Sequence, residues 1–326
     1  IAFEDIDLLG DNAIVRPTNL SSCNADMRYY LGTRDAKVLA EKLPMALIHE
    51  GVGVVMRDPS GKFAPGDRVV MVPNCPTETD DYIGENYLRS SKFCGSSMDG
   101  FLQEYVEISP RRLVKLPQDI NMNVAAFTEI VSVAVHAISR FDKIAHARRD
   151  AIGVWGDGNL AYIVSLFLKK TFPDSKVYVF GLNDDKLADF TFADGAYKTT
   201  EVPEGFTMDH AFECVGGNGS PIAIEQIIGL IKPEATLSIL GVSEYPVPIN
   251  TRMILEKGLR VFGSSRSGVA DFEKTVQMYQ QYPEIIDYLG KLISSVNVVR
   301  TTTDIKQAFE KDTQKAFGKT IMVWQE

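Results

Sequence analysis

Residues 151–170 read AIGVWGDGNLAYIVSLFLKK, and the fold follows from them. A short apolar run enters a turn made of Gly156, Asp157 and Gly158. Asn159, Leu160 and Ala161 then open an amphipathic helix, giving the spacing G-x-G-x-x-A. Gly156 permits the tight turn, Gly158 lets backbone approach a pyrophosphate, and Ala161 lets the helix lie close to a sheet with its N-terminus toward the phosphates. Glycines also serve ordinary strand-to-helix turns, because they tolerate positive φ. Here the preceding strand and the following helix supply the context that a dinucleotide-binding turn requires.

Downstream, KVYVFG (176–181), HAFECVG (210–216), TLSILGV (236–242) and RVFGSS (260–265) alternate with helical segments, the pattern of a parallel sheet with crossover helices. The second strand bears on which dinucleotide binds. NAD-binding versions end it with an acid for the ribose 2′-hydroxyl, and the matching position here is Gly181. The missing carboxylate favours NADP, with Asn183 and Lys186 as candidate 2′-phosphate contacts and Asp184 and Asp185 working against them. Lys186 reads equally well as a solvated charge at a helix start. Gly241, Val242, Ser264 and Ser265 stand at later strand ends, where a nicotinamide half would rest, and each also suits a plain turn or strand end.

Upstream the texture differs. From Asn12 to about Leu113 short β-rich runs (AIVRP, GVGVVM, DRVVMVP, LQEYVEI) are broken by Gly, Pro and Asp, as in an irregular β domain. NVAAFTEIVSVAVHAISRF (123–141) predicts one long helix. After Gly268 come a helix, the run VNVVRTTT, another helix and a last strand, GKTIMVW (318–324). That strand shows no crossover unit of its own, so the tail is expected to complete the first domain. Residues 73–100 form the longest apparent loop.

The chain has 326 residues, enough for two domains. Its 34 basic and 43 acidic residues give a net charge of −9, and no basic block stands out, which argues against nucleic-acid binding. No apolar run is long enough to span a membrane, and the start lacks a signal peptide's pattern. Four dispersed cysteines suit a reducing compartment, so a cytoplasmic protein acting on a small molecule is expected.

Cys23 in LSSCNADMRYYLG, the pair His49 and Glu50 in LPMALIHEGVGVVM, and Glu129 in the predicted helix supply mixed S, N and O donors. Such a set suits a catalytic zinc with a position open to water or substrate. Singly, each residue has a plainer reading, as a buried thiol, a structural histidine or a solvated glutamate. Glu129 stands out because its neighbours are apolar, and burial would demand a partner.

With these pieces in order, the chain resembles the medium-chain, zinc-containing alcohol dehydrogenases over nearly its whole length. The resemblance rests on CNAD, HEGVGVV, FAPGDRVV, MDGFLQEYV, TEIVSVAVHA, GDGNLA and FECVGG, in that order. It implies an α/β protein with a GroES-like irregular β catalytic domain (1–130 and 266–326), a doubly wound Rossmann NADP-binding domain (131–265), and an active-site cleft between them. It further implies Cys23, His49 and Glu129 as ligands of one catalytic zinc, Glu50 as a direct or exchangeable fourth ligand, and Asp26 as the group orienting His49 or nearby backbone. Relative to the family the chain begins inside the first β element, which implies residues ahead of Ile1.

Two departures stand out. The family's structural zinc uses four closely spaced cysteines, whereas this region holds only Cys75 and Cys94, so no structural zinc is expected. Ala25 stands where a proton-relaying hydroxyl is usual, leaving metal-bound water, a glutamate or a substrate hydroxyl for that step.

Within the family, CNADMRYYLG, TEIVSVAVHAI, the loop at 81–101 and residues 241–268 look most like the ribulose-5-phosphate reductases. Members of that group make ribitol 5-phosphate with NADPH and feed a cytidylyltransferase that makes CDP-ribitol for teichoic acids or capsules. The family implies a homodimer or homotetramer. A phosphosugar needs cations, for which Arg28, Lys92 and Arg34 are candidates, with solvated surface charge as the plain alternative. An NAD-dependent polyol dehydrogenase is the nearest rival. A non-catalytic NADP-binding regulator would keep the scaffold without needing the ligand set.

Overall fold

β1 (Ala13–Ser21) is the strand around which the first part of the chain assembles in the computed structural model, which describes residues 5–315 and 317–325. Helices α1 (Asn24–Tyr30) and α2 (Ala36–Lys42) follow it. Next come β2 (Glu50–Arg57), β3 (Arg68–Met71), the short pair β4 (Asn74–Cys75) and β5 (Lys92–Phe93), β6 (Val106–Ile108) and β7 (Leu113–Lys115). β1 and β2 run antiparallel with Ser21 opposite Glu50 and a bulge between Pro17 and Asn19. The bulge accommodates a proline that has no N–H to donate to the ladder. This register matters for function, because it brings Cys23, just past the end of β1, to the same end of the sheet as His49, just ahead of β2.

The helix expected over 123–141 is two helices, α3 (Met122–Ala125) and α4 (Thr128–Ile144). The break has a local cause. The Thr128 hydroxyl donates to the Ala125 carbonyl at 2.8 Å, and Phe127 N–H reaches back only three residues, to Val124. That tight turn lets Glu129 start a fresh helix.

The middle of the chain carries β8 (Ala151–Trp155), α5 (Asn159–Thr171), β9 (Lys176–Gly181), α6 (Asp184–Leu187), β10 (Gly195–Lys198), β11 (Met208–Glu213), α7 (Ser220–Leu230), β12 (Ile231–Ile239), α8 (Thr251–Glu256) and β13 (Arg260–Gly263). Its strands lie in the order β10-β9-β8-β11-β12-β13, and every pair is parallel. This is the doubly wound arrangement, with β8 and its glycine turn at the point where strand order reverses.

The tail adds α9 (Val269–Gln281), α10 (Glu284–Gly290), β14 (Ile293–Val299), α11 (Thr302–Gln314) and β15 (Lys319–Trp324). β15 pairs antiparallel with β1 and parallel with β14, so the first sheet runs β14-β15-β1-β2-β3-β7 with β6 also on β1. The last strand therefore does have a crossover unit, α11, contrary to the sequence reading. The tail joins the first domain because β1 offers β15 an edge.

The chain divides into two compact units, one running up to Ser132 and resuming at Arg266, the other Val133–Ser265. The first is filled by Leu20, Val55, Met71, Phe101, Phe309 and Met322, and the second by residues such as Trp155, Phe180, Ile227 and Leu237. Among the described residues no helix is long and apolar enough to cross a membrane.

Candidate active site

Cys23 is the N-cap residue of α1, and Asp26 in that helix's first turn is fully buried. The Asp26 carboxylate accepts from Cys23 N–H at 3.0 Å through one oxygen and from Ile48 N–H at 3.0 Å through the other. The second oxygen also lies 3.5 Å from His49 Nδ1. One buried carboxylate thus pins both the Cys23 and the His49 segments, and on the Nδ1 side it leaves Nε2 as the donor atom. Burial works against an imidazolium at His49, but Asp26 and Cys23 outweigh it and hold the pKa well above its usual value.

Among the described residues, ligand atoms of Cys23, Asp26 and His49, and of His49, Glu50 and Glu129, lie within 4.8 Å of one another. Glu129 is 6% exposed and its carboxylate makes no hydrogen bond among the described residues. Burial pushes its pKa up to about 7 against the pull of His49. A buried carboxyl on one side of an imidazole and a thiol on the other are donors that a divalent cation would satisfy, and S, N and O together fit zinc.

The predicted ligands fall in two groups that share His49, Cys23 with Asp26 on one side and Glu50 with Glu129 on the other, and Glu50 is already engaged. Lys319 Nζ lies 2.8 Å from its Oε1 and 2.7 Å from its Oε2. Sequence reasoning missed this lysine, although a single cation inside the apolar run of the last strand was the signal. A metal bound by Glu50 would share that carboxylate with the Lys319 ammonium. Ala25 follows Cys23 in α1 and presents a methyl group.

Arg28 lies in α1, Lys92 in β5 is exposed, and Arg34 lies over the Tyr29 ring at 4.6 Å. Another cation stands near the donors. Arg266 stacks on Phe93 at 4.9 Å, and that ring's centroid is 5.4 Å from the centroid of His49. Cys75 and Cys94 stand in place of a four-cysteine lobe; the Cys75 thiol donates to the Pro73 carbonyl at 3.7 Å, and the Cys94 thiol beside it draws the Cys75 pKa down to about 7.

In the second unit the glycine turn has the expected form. Gly156 stands at φ +128°, and a Cβ there would meet the Cys214 carbonyl at 3.1 Å. Gly158 is the N-cap of α5 with open space beside it, followed by Asn159 and Leu160 in the first turn. Ala161 is fully buried against the turn. At the end of β9 the Asp157 carboxylate accepts from Leu182 N–H at 2.8 Å and Asn183 N–H at 2.9 Å. A side chain at Gly181 would meet Asp157 Cβ at 2.7 Å, so glycine there also has a packing reason that the sequence did not disclose. Asn183 caps α6 by accepting from Lys186 N–H at 3.2 Å. Gly241 donates to the buried Glu213, which also takes Val215 and Gly216 N–H. The exposed Val242 accepts from Gly217 N–H, Ser264 is buried beside Arg140, and Ser265 is exposed.

Residues 10–118 match the alcohol dehydrogenase GroES-like domain family. A ribulose-5-phosphate reductase of Bacillus spizizenii is 54% identical over 325 residues, covering 100% of this chain and 95% of that one. The chain belongs to the medium-chain alcohol dehydrogenase family. This dehydrogenase is also 50% identical over 324 residues to ribulose-5-phosphate reductase 1 of Staphylococcus aureus, covering 99% of this chain and 95% of that one. The crystal structure of S. aureus TarJ in complex with NADPH superposes with a TM-score of 0.90 at 46% identity, covering 100% and 95% of the two chains. Membership makes the protein an oxidoreductase with the two-domain architecture of that family.

Proposed function

We propose that this dehydrogenase reduces the C2 ketone of D-ribulose 5-phosphate to D-ribitol 5-phosphate with NADPH, using one zinc held by Cys23, His49 and Glu129. The observation that carries the reading is that Cys23 and Glu129 each offer a ligand atom within 4.8 Å of a His49 ring nitrogen, where β1 and β2 bring Cys23 and His49 to one end of the first sheet. It occurs in a chain alike over its full length to ribulose-5-phosphate reductases, with a solved relative bound to NADPH. Bound there, zinc would supply Lewis-acid polarisation of the C2 carbonyl.

The chain's own residues do the rest. Asp26 fixes the Cys23 and His49 segments, and Lys319 holds Glu50 beside the donors as a neutralised pair. The glycine turn and the N-terminus of α5 receive the pyrophosphate of the dinucleotide. Reduction places a hydride on carbon and a proton on oxygen. With a methyl at Ala25, that proton would come from water, a glutamate or a hydroxyl of the sugar. The product would feed a cytidylyltransferase making CDP-ribitol for teichoic acid or capsule, in the cytoplasm, with the enzyme working as a homodimer or homotetramer. Following NADPH oxidation with ribulose 5-phosphate, then with NADH and after chelation, tests the reading. Equal rates with ribulose and ribulose 5-phosphate would sink it.

A further inference from the structure

Arg266 is held in a way that costs stability from three directions. Its backbone stands at φ +59°, in the left-handed region that a long side chain rarely adopts. Its side chain is half-buried, and burial draws its pKa below the usual arginine value while the Glu129 carboxylate pulls the other way. Among the described residues its guanidinium makes no ion pair and no hydrogen bond. Stacking on Phe93 offsets part of this.

The strained backbone is tied to the donor cluster. Ser267 Oγ lies 2.7 Å from Ser132 Oγ, which in turn donates to the Glu129 carbonyl at 2.6 Å. The residue after Arg266 is therefore fastened to the helical turn that carries Glu129. The contacts from His49 to Phe93 and from Phe93 to Arg266, laid end to end, keep the guanidinium within about 10 Å of the imidazole. A five-carbon chain whose C2 carbonyl sits at the donors can reach it. The nearby start of α9 is not the anion site, because the Glu85 carboxylate already takes Val269 N–H at 2.9 Å.

We infer that Arg266 binds the phosphate group of the sugar phosphate, and this rests on the reading given under Proposed function. A desolvated, unpaired guanidinium gains its missing counter-ion when a phosphate arrives, and its planar fork matches two phosphate oxygens. The segment 264–268 then selects phosphorylated over free sugars.

The experiment compares wild type with Arg266→Gln and Arg266→Gly in the full chain, measuring kcat and KM for ribulose 5-phosphate and for ribulose. The shift of Tm on adding inorganic phosphate provides a readout free of turnover. Arg266→Gln should lower kcat/KM for ribulose 5-phosphate by about 100-fold, mostly through KM, and change that for ribulose by less than about threefold. It should also abolish the Tm rise with phosphate expected of wild type. Arg266→Gly should do the same with a Tm no lower than wild type, because glycine relieves the positive φ. A wild-type enzyme with no preference for the phosphorylated sugar overturns the reading and the inference together. A wild-type preference that survives in Arg266→Gln, or an equal loss toward both sugars, overturns the inference alone.

Discussion

Lys319 and Glu50 form a buried ion pair, the ammonium sitting 2.7 Å from one carboxylate oxygen and 2.8 Å from the other, with the two residues 2% and 0% exposed. Burial works against the Lys319 ammonium, and Glu50 together with Cys23 and Glu129 outweighs it. Breaking one side leaves an uncompensated buried charge, which typically costs about 3–5 kcal/mol. Lys319→Met should therefore destabilise the protein by that order in urea denaturation, whereas Lys319→Met combined with Glu50→Gln should recover most of the loss. Equal destabilisation in the single and double variants would show that the pair carries no coupling.

Asp26 offers a second, separate test of the donor cluster. Its carboxylate takes the N–H groups of Cys23 and Ile48 and faces His49 Nδ1, so Asp26→Asn weakens the support of two donors at once. Loss of such a supporting group typically lowers metal affinity about 10–100-fold. Elemental analysis should find about one zinc per wild-type chain and, after dialysis against a weak chelator, a small fraction of that in Asp26→Asn. Cys23→Ala should hold none under the same conditions. Zinc retention equal to wild type in Cys23→Ala would remove that residue from the ligand set.

At the glycine turn, packing and cofactor binding make opposite forecasts for Gly158. Nothing lies within 4 Å of a Cβ built there, and its extended backbone suits any residue. Gly158→Asp should thus leave Tm nearly unchanged. The same substitution places a carboxylate where the dinucleotide's pyrophosphate meets the start of α5, so KM for NADPH should rise by at least about tenfold. An unchanged KM would mean the phosphates lie elsewhere.

His210 sets a pH limit on stability. The ring is fully buried in the second unit, with Nδ1 accepting Thr236 N–H at 3.1 Å and Nε2 3.0 Å from the Arg148 carbonyl. Thr236 N–H can only donate, so the neutral ring with its proton on Nε2 satisfies both contacts, and a second proton on Nδ1 would break one. Burial, aided by the charge of His146, lowers the pKa to about 4. Below an unfolded value near 6.5 the unfolded chain binds the extra proton and the folded chain does not, so stability falls as pH drops from about 6.5 toward 4. The loss attributable to this residue is on the order of 3 kcal/mol. Denaturation across that range should show a shallower decline for His210→Asn than for wild type; parallel curves would exclude His210 as the cause.

Much of this molecule was legible in one dimension because the decisive signals are local. The turn from Gly156 to Ala161 needs only neighbouring residues, since glycine's positive φ and the start of a helix are properties of a few consecutive positions. The strands of the parallel sheet announced themselves by short apolar runs between helices. The grouping of Cys23 with His49 was expected only through motif order, because nothing near Cys23 shows that His49 will stand beside it.

Tertiary structure decided what depends on partners distant along the chain. The register that sets Ser21 opposite Glu50 brings Cys23 and His49 to one end of the sheet, and β15, arriving from the far end of the chain, delivers Lys319 to Glu50. Arg266 was one basic residue in a serine-rich stretch until the fold set it at positive φ over Phe93, fastened through Ser267 and Ser132 to the turn that carries Glu129. Local propensity is written in adjacent residues. Whether a buried charge finds its counter-ion is settled only when strands far apart in sequence pair.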